Sequence, residues 1–366
     1  MAAAQPLYEL KELLGASASS GNFVDGKFLS VEEVYNCLMN KPIGLNNAGQ
    51  TMSRYLGKTL GDPYLKLGMA LPVTTLRHVT TERPTREILA SESFKTQNWS
   101  NLPWKHPNAR LSYWSIQVPP ESTERACLKA FQDLVPPEGS KDLEKYFNRQ
   151  FANSPAFNSA SCYGNFKFSL PLSDLLSEYK EQHCQGAEPE FRVLGTAMYK
   201  QEIAHIVLVH SPMATEFSDL PSVPIVGGNA NPLPFVFRSQ EDGKLIWRPE
   251  STSIFLKMKI SEKVCSIRKC KPYCTDCDDD TCGYYGDNCV WNELILAFHL
   301  PGNEPLRIPR EKLLESLSGC DILEPYLREE ETRLRQEGAQ DIIRSLKAEP
   351  VERKILNPWN GSEPPC

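Results

Sequence analysis

Six cysteines fall within twenty-five residues, between Cys265 and Cys289. So short a polar stretch cannot bury an apolar core of its own, so it holds a shape only if metal or disulfides staple it. The spacing is Cys265-x4-Cys270-x3-Cys274-x2-Cys277-x4-Cys282-x6-Cys289. Cys274 and Cys277 form a C-x2-C step, in which a tight turn brings two thiolates to one tetrahedral zinc. The second pair comes from Cys265 with Cys270 or from Cys282 with Cys289. Six thiolates cannot fill two separate four-cysteine sites, although a two-metal cluster could share sulfurs. The reading taken is a structural zinc-held insertion between two strands. Three disulfides are the alternative, with fifteen possible connectivities and an oxidising compartment required. Free or redox-sensing thiols are a third.

A catalytic zinc would need an open coordination position and a general base. Neither H-E-x-x-H nor H-x-E followed by P-C-x-x-C occurs in the chain. A calcium loop also fails on the residues. Asp276, Asp278, Asp280 and Asp287 fall in an EF-hand-like register, but Thr281 stands where glycine is required and Asp287 where a bidentate glutamate is usual.

Charge is uneven around the cysteines. Lys257, Lys259, Lys263, Arg268, Lys269 and Lys271 precede or enter the cluster, while Asp276, Asp278, Asp279 and Asp280 follow. Segment 257–271, with Tyr273, Tyr284 and Tyr285 nearby, has the composition of a single-stranded nucleic-acid binder. The acidic run would repel phosphate, so a solvated loop of balanced charge is preferred. The whole chain carries a net charge of −6 over 366 residues, which argues against broad nucleic-acid binding.

The first residues lack the basic and apolar regions of a secretory leader, and no apolar run reaches eighteen residues. The expected location is therefore the cytoplasm or nucleus, where thiols stay reduced, with no membrane partner.

Elsewhere the apolar periodicity predicts helices over 7–14, 85–94, 121–134, 140–151 and 173–183, with Pro84 opening the second. Ser30 and Glu33 form a capping box ahead of Val34, Tyr35 and Leu38. Residues 41–84 read as irregular, with one short strand near 70–75. Strands are expected at 109–118, 166–172, 192–199, 203–209, 235–237, 244–247, 254–260 and 290–300. Asp242-Gly243 marks a hairpin turn. A charged helical segment runs from 310 to 347. These elements predict an α+β fold: a mainly antiparallel sheet in the C-terminal half, flanking helices, and a cysteine-rich insertion between two strands. The expected division is a helix-rich region over 1–155, an α+β region over 156–348 that contains the insertion 261–289, and a proline-rich tail over 349–366.

His205 and His210 are an odd number of residues apart on one strand, so they face opposite sides and read as structural. His183 beside Cys184 is too constrained for a nucleophile and base. Trp99, Trp104, Lys105, His106, Tyr113 and Trp114 suit core packing more than a ligand cleft. Val226-Gly227-Gly228-Asn229 lacks the phosphate-loop pattern.

Taken together, the residues predict an intracellular non-enzymatic interaction module with a zinc-stabilised cysteine-rich loop and a protein partner. The ligands would be drawn from Cys265, Cys270, Cys274, Cys277, Cys282 and Cys289. The alternatives are an enzyme with a cleft site in the α+β region, or a single-stranded nucleic-acid binder working through 257–271.

Overall fold

The computed structural model describes residues 24–30, 33, 70–96, 110–119, 121–122, 156–157, 164–199, 202–227, 234–260, 282–320 and 329–348. The architecture is α+β, with mixed, mostly antiparallel sheets and, among the described residues, four α-helices.

Among the described residues the main sheet has nine strands. Eight run in the order β1 (Val24–Asp25), β7 (Glu190–Tyr199), β8 (Glu202–His210), β13 (Cys282–His299), β5 (Leu111–Gln117), β3 (Thr75–Thr80), β6 (Phe166–Pro171) and β15 (Leu317–Gly319). The ninth, β12 (Ser251–Ile260), pairs with β13 alone. Strands from both sides of residue 155 interleave here, because β3 pairs with β6 and β5 with β13. Every described pairing within this sheet is antiparallel except β13 on β8.

Burial on both faces explains the central strands. In β8, Ala204, Ile206 and Leu208 join a small apolar cluster with Phe217 and Leu220. Val207 and Val209, on the other parity, join the large core. In β13, Ala297 follows the small cluster, while Leu294, Leu296 and Phe298 follow the large one. Period-two alternation is thus preserved in runs that are apolar almost throughout.

The helix α2 (Leu172–His183) lays Leu172, Leu175, Tyr179 and His183 on one buried stripe. The helix α1 (Glu82–Ser91) buries Thr85, Ile88 and Leu89 and is followed by β4 (Ser93–Phe94). Strand β4 pairs with β14 (Leu306–Arg307), just before α3 (Arg310–Ser316). The helix α4 (Glu329–Ala348) buries Ala339, Ile343 and Leu346 near the β15 edge. A second sheet runs β2 (Leu71–Pro72), β11 (Leu245–Trp247), β10 (Val236–Ser239), β9 (Ile225–Val226), and sends Val236, Leu245 and Trp247 into the large core.

Several sequence expectations are met. Strands and helix at 109–118, 166–172 and 173–183 appear within two residues of their expected bounds. Asp242-Gly243 turns the β10–β11 hairpin, with Gly243 at φ +69°. Ser30 and Glu33 bond reciprocally: Glu33 N–H donates to Ser30 Oγ at 2.9 Å, and Ser30 N–H to Glu33 Oε2 at 2.8 Å.

Others are corrected. The segment 41–84 is not irregular to its end, since β3 occupies 75–80 and α1 begins at Glu82. The expected helix over 85–94 begins at Glu82 and stops at Ser91, where Glu92 turns left-handed (φ 51°). The 310–347 segment is broken by β15. The expected helices over 7–14 and 140–151, and all but the first residues of that over 121–134, lie outside the described residues, as does the tail over 349–366.

Candidate functional site

Two places gather the residues that carry chemistry. The first is a two-stranded ribbon. Strand β12 pairs antiparallel with the first ten residues of β13, in unbroken register from Ser251↔Trp291 to Ile260↔Cys282. Ten pairs at about 3.3 Å per residue make a ribbon about 33 Å long. Isoleucine, phenylalanine, tyrosine, threonine and valine along both strands favour extended backbone. The same strand then becomes the middle of the sheet, with Asn292–Phe298 pairing with β8 and Ile295–His299 with β5.

The expected bracketing strands are therefore present, but β13 starts eight residues earlier than the sequence suggests and takes in two of the cysteines. Cys282 faces Ile260 in register and Cys289 faces Ser253. Seven residues separate them on one strand, about 23 Å, so a single metal site can use at most one. Cys265, Cys270, Cys274 and Cys277 lie in 261–281, outside the described residues, with most of the basic segment 257–271. Among the described residues no group of three or more histidine, cysteine or acidic side chains is placed to hold a metal ion.

The second place is a buried histidine cluster where β8 and β13 end. His183 closes α2, His210 closes β8 and His299 closes β13. All three are buried. The Phe217 ring lies between His210 and His299, at centroid distances of 5.3 and 4.8 Å. Tyr179 stacks on His183 at 5.1 Å, and its hydroxyl donates to the His299 carbonyl at 2.6 Å.

Hydrogen bonding fixes the state of His210. Its Nδ1 lies 2.8 Å from the Ser211 carbonyl and so carries the proton. Its Nε2 is then a lone pair, which accepts from Arg192 Nε at 3.4 Å. Arg192 is itself paired with Glu190. His299 Nε2 sits 3.8 Å from Glu216, while its Nδ1 has no hydrogen-bond partner among the described residues. Burial lowers the pKa of all three rings. For His299 it reaches about 4, as nearby His210 and His183 also disfavour a proton and Glu216 pulls the other way.

These rings are neutral at pH 7, and among the described residues no activated nucleophile accompanies them. The Cys184 thiol is fully buried and burial pushes its pKa up, the reverse of what a nucleophile needs. The cluster packs side chains from α2, β7, β8 and β13 together. Tyr179→Phe should cost about 1–2 kcal/mol by removing a buried hydrogen bond, measured as a lower urea midpoint with an unchanged slope.

Among the remaining sequence candidates, His205 and Trp114 are packed in the interior. His205 and His210 do lie on opposite faces of β8. His205 is fully buried, stacked on Phe28 and tilted against Phe235 at 5.0 Å each, with burial driving its pKa to about 4. Trp114 is core, packed edge-on to Phe94 at 4.6 Å. Trp99, Trp104, Lys105 and His106 lie outside the described residues. A pocket of about 330 Å³ lies between β15 and α4, lined by Cys320, Gln336, Glu337, Gln340 and Arg344. The Cys320 thiol there is already used, donating to the Gly164 carbonyl.

Sequence reasoning missed Asn292, Thr196, Glu190 and Glu216. Asn292 alone carried a local signal, a polar residue at the head of an apolar run. No helix of the described residues is long and apolar enough to cross a membrane. No protein-family model, curated protein or solved structure matches this chain.

Proposed function

We propose that this protein is a non-enzymatic, intracellular interaction module whose contact surface is the outer end of the β12–β13 ribbon. In this reading Cys274 and Cys277 hold a structural zinc with two of Cys265, Cys270, Cys282 and Cys289, at most one of them from the last two. The partner is a protein. The observation that carries the reading is the ten-pair ladder, which ends at Ile260 and Cys282 on either side of the cysteine-rich residues 261–281. Connections longer than about 15 residues without structure of their own are uncommon in compact domains. A metal would supply the folding free energy that such a segment lacks, and cysteine ligation would require a reducing compartment.

The test is metal content and free-thiol count on protein purified under mild reduction, for the native chain and for Cys274→Ser. The expected result is about one zinc per chain, thiols shielded until chelation, and loss of the metal in the variant with the main sheet intact by circular dichroism. Equal metal content in both proteins would remove Cys274 from the ligand set. Three disulfides and no metal would overturn both the zinc and the location.

A further inference from the structure

We propose that the N-terminal strap, residues 24–30, and the root of the ribbon form one coupled latch, joined through the buried side chains of Asn292 and His205. Strap and root are distant in sequence and belong to different strands, yet an unbroken chain of hydrogen bonds connects them.

At the root, Glu250 N–H donates to Asn292 Oδ1 at 2.7 Å, and Asn292 N–H donates to the Glu250 carbonyl at 3.0 Å. Asn292 is the residue at which β13 leaves the ribbon and enters the sheet. Its amide oxygen is engaged by Glu250, so its Nδ2 faces His205 Nδ1, 3.4 Å away, as the donor. That leaves His205 Nδ1 as acceptor and puts the ring proton on Nε2, which donates to the Leu29 carbonyl at 2.8 Å. The strap is held further by Thr196 Oγ1, which accepts from Leu29 N–H at 2.8 Å, and by Gly26 N–H on the Leu194 carbonyl at 2.9 Å.

Thr196, His205 and Asn292 are each fully buried. A buried polar chain has no water to substitute for a lost partner, so breaking one member destabilises the next. Lifting the strap removes the acceptor for His205 Nε2–H, frees the ring to turn, and takes the acceptor from Asn292. The amide that fixes Glu250 at the start of the ribbon then loses its own orientation. The latch depends on neither zinc nor a contact role for the ribbon.

Hydrogen exchange by mass spectrometry on the full chain at pH 7 tests it. Thr196→Val removes the acceptor for Leu29 N–H and changes no hydrogen bond at the root. Phe28→Ala, which strips a half-buried ring from His205, is a second, independent way to loosen the strap. Either variant should raise exchange in peptides covering 24–30 and, by about fivefold or more, in peptides covering 250–252. Exchange in β6, across the sheet, should not change. In an Asn292→Ala background, loosening the strap should leave the root as it was. A freed strap with an unchanged root overturns the latch. So does an equal rise in β6, which marks general loosening, or a strap that stays protected in both variants.

Discussion

Acidification from pH 7 to pH 4 is expected to remove a large part of this protein's stability before most carboxylates titrate. His205 and His299 are buried as neutral rings with pKa about 4, against about 6.5 in the unfolded chain. Between those two values the unfolded chain binds more protons, so stability is complete above pH 6.5 and falls as pH drops towards 4. Each ring accounts for about 3 kcal/mol across that window, beside a total folding stability of about 5–15 kcal/mol for typical proteins. His78, His183 and His210 are also lowered by burial and act in the same direction. Five of the six histidines thus share one response. Glu33 and Asp242, lowered by their lysine partners Lys27 and Lys244, lose their contribution only at lower pH. Urea midpoints at pH 7, 6, 5 and 4.5 should fall steadily, and His205→Gln should be less stable at pH 7 yet show a shallower fall. A flat profile between pH 7 and 5 would show that these rings are protonated in the folded protein.

Gly164→Ala should be among the most damaging single substitutions. Gly164 has φ +153°, and a Cβ there would stand 2.1 Å from the Thr80 carbonyl oxygen and 2.3 Å from its carbon. Both atoms are backbone, so no side-chain rotation relieves the clash. Thr80 pairs with Phe166 at the end of the β3–β6 ladder, and the ladder must spread to admit the methyl group. The cost should be about 3 kcal/mol, which for a chain of this size lowers Tm by about 4 °C. The Gly164 carbonyl also accepts from Cys320, so the variant's Cys320 should react faster with a thiol reagent. An unchanged Tm would mean that the strand ends yield at little cost.

What the sequence made legible was local. The Ser30–Glu33 cap and the Asp242-Gly243 turn each need only a few adjacent residues, and β8 announces itself by a run of branched side chains. The opposite faces of His205 and His210 follow from period two alone. Strand β3 stayed hidden because Arg77 and His78 interrupt its apolar pattern, and their burial is supplied by other strands. His78 Nδ1 lies 3.1 Å from the Tyr113 carbonyl, and its ring packs on Phe94 and Trp114. Strand β15 is three residues inside a charged stretch that scores as helix, and it exists because β6 offers an edge. The histidine cluster draws on α2, β7, β8 and β13, so no window of sequence contains it.

Strand β13 also sets a timetable for synthesis. Its residues 292–299 fill the gap between β8 and β5, and both neighbours leave the ribosome long before it does. Ser115 must wait for Ile295 and Val207 for Leu296. Until then β5 and β8 each present an unpaired edge, the template on which nascent chains aggregate. Pairing so remote in sequence is also slow to form. A chain cut before residue 292 therefore keeps most of its strands but lacks the one that joins them, and it should demand chaperone protection that the complete chain outgrows.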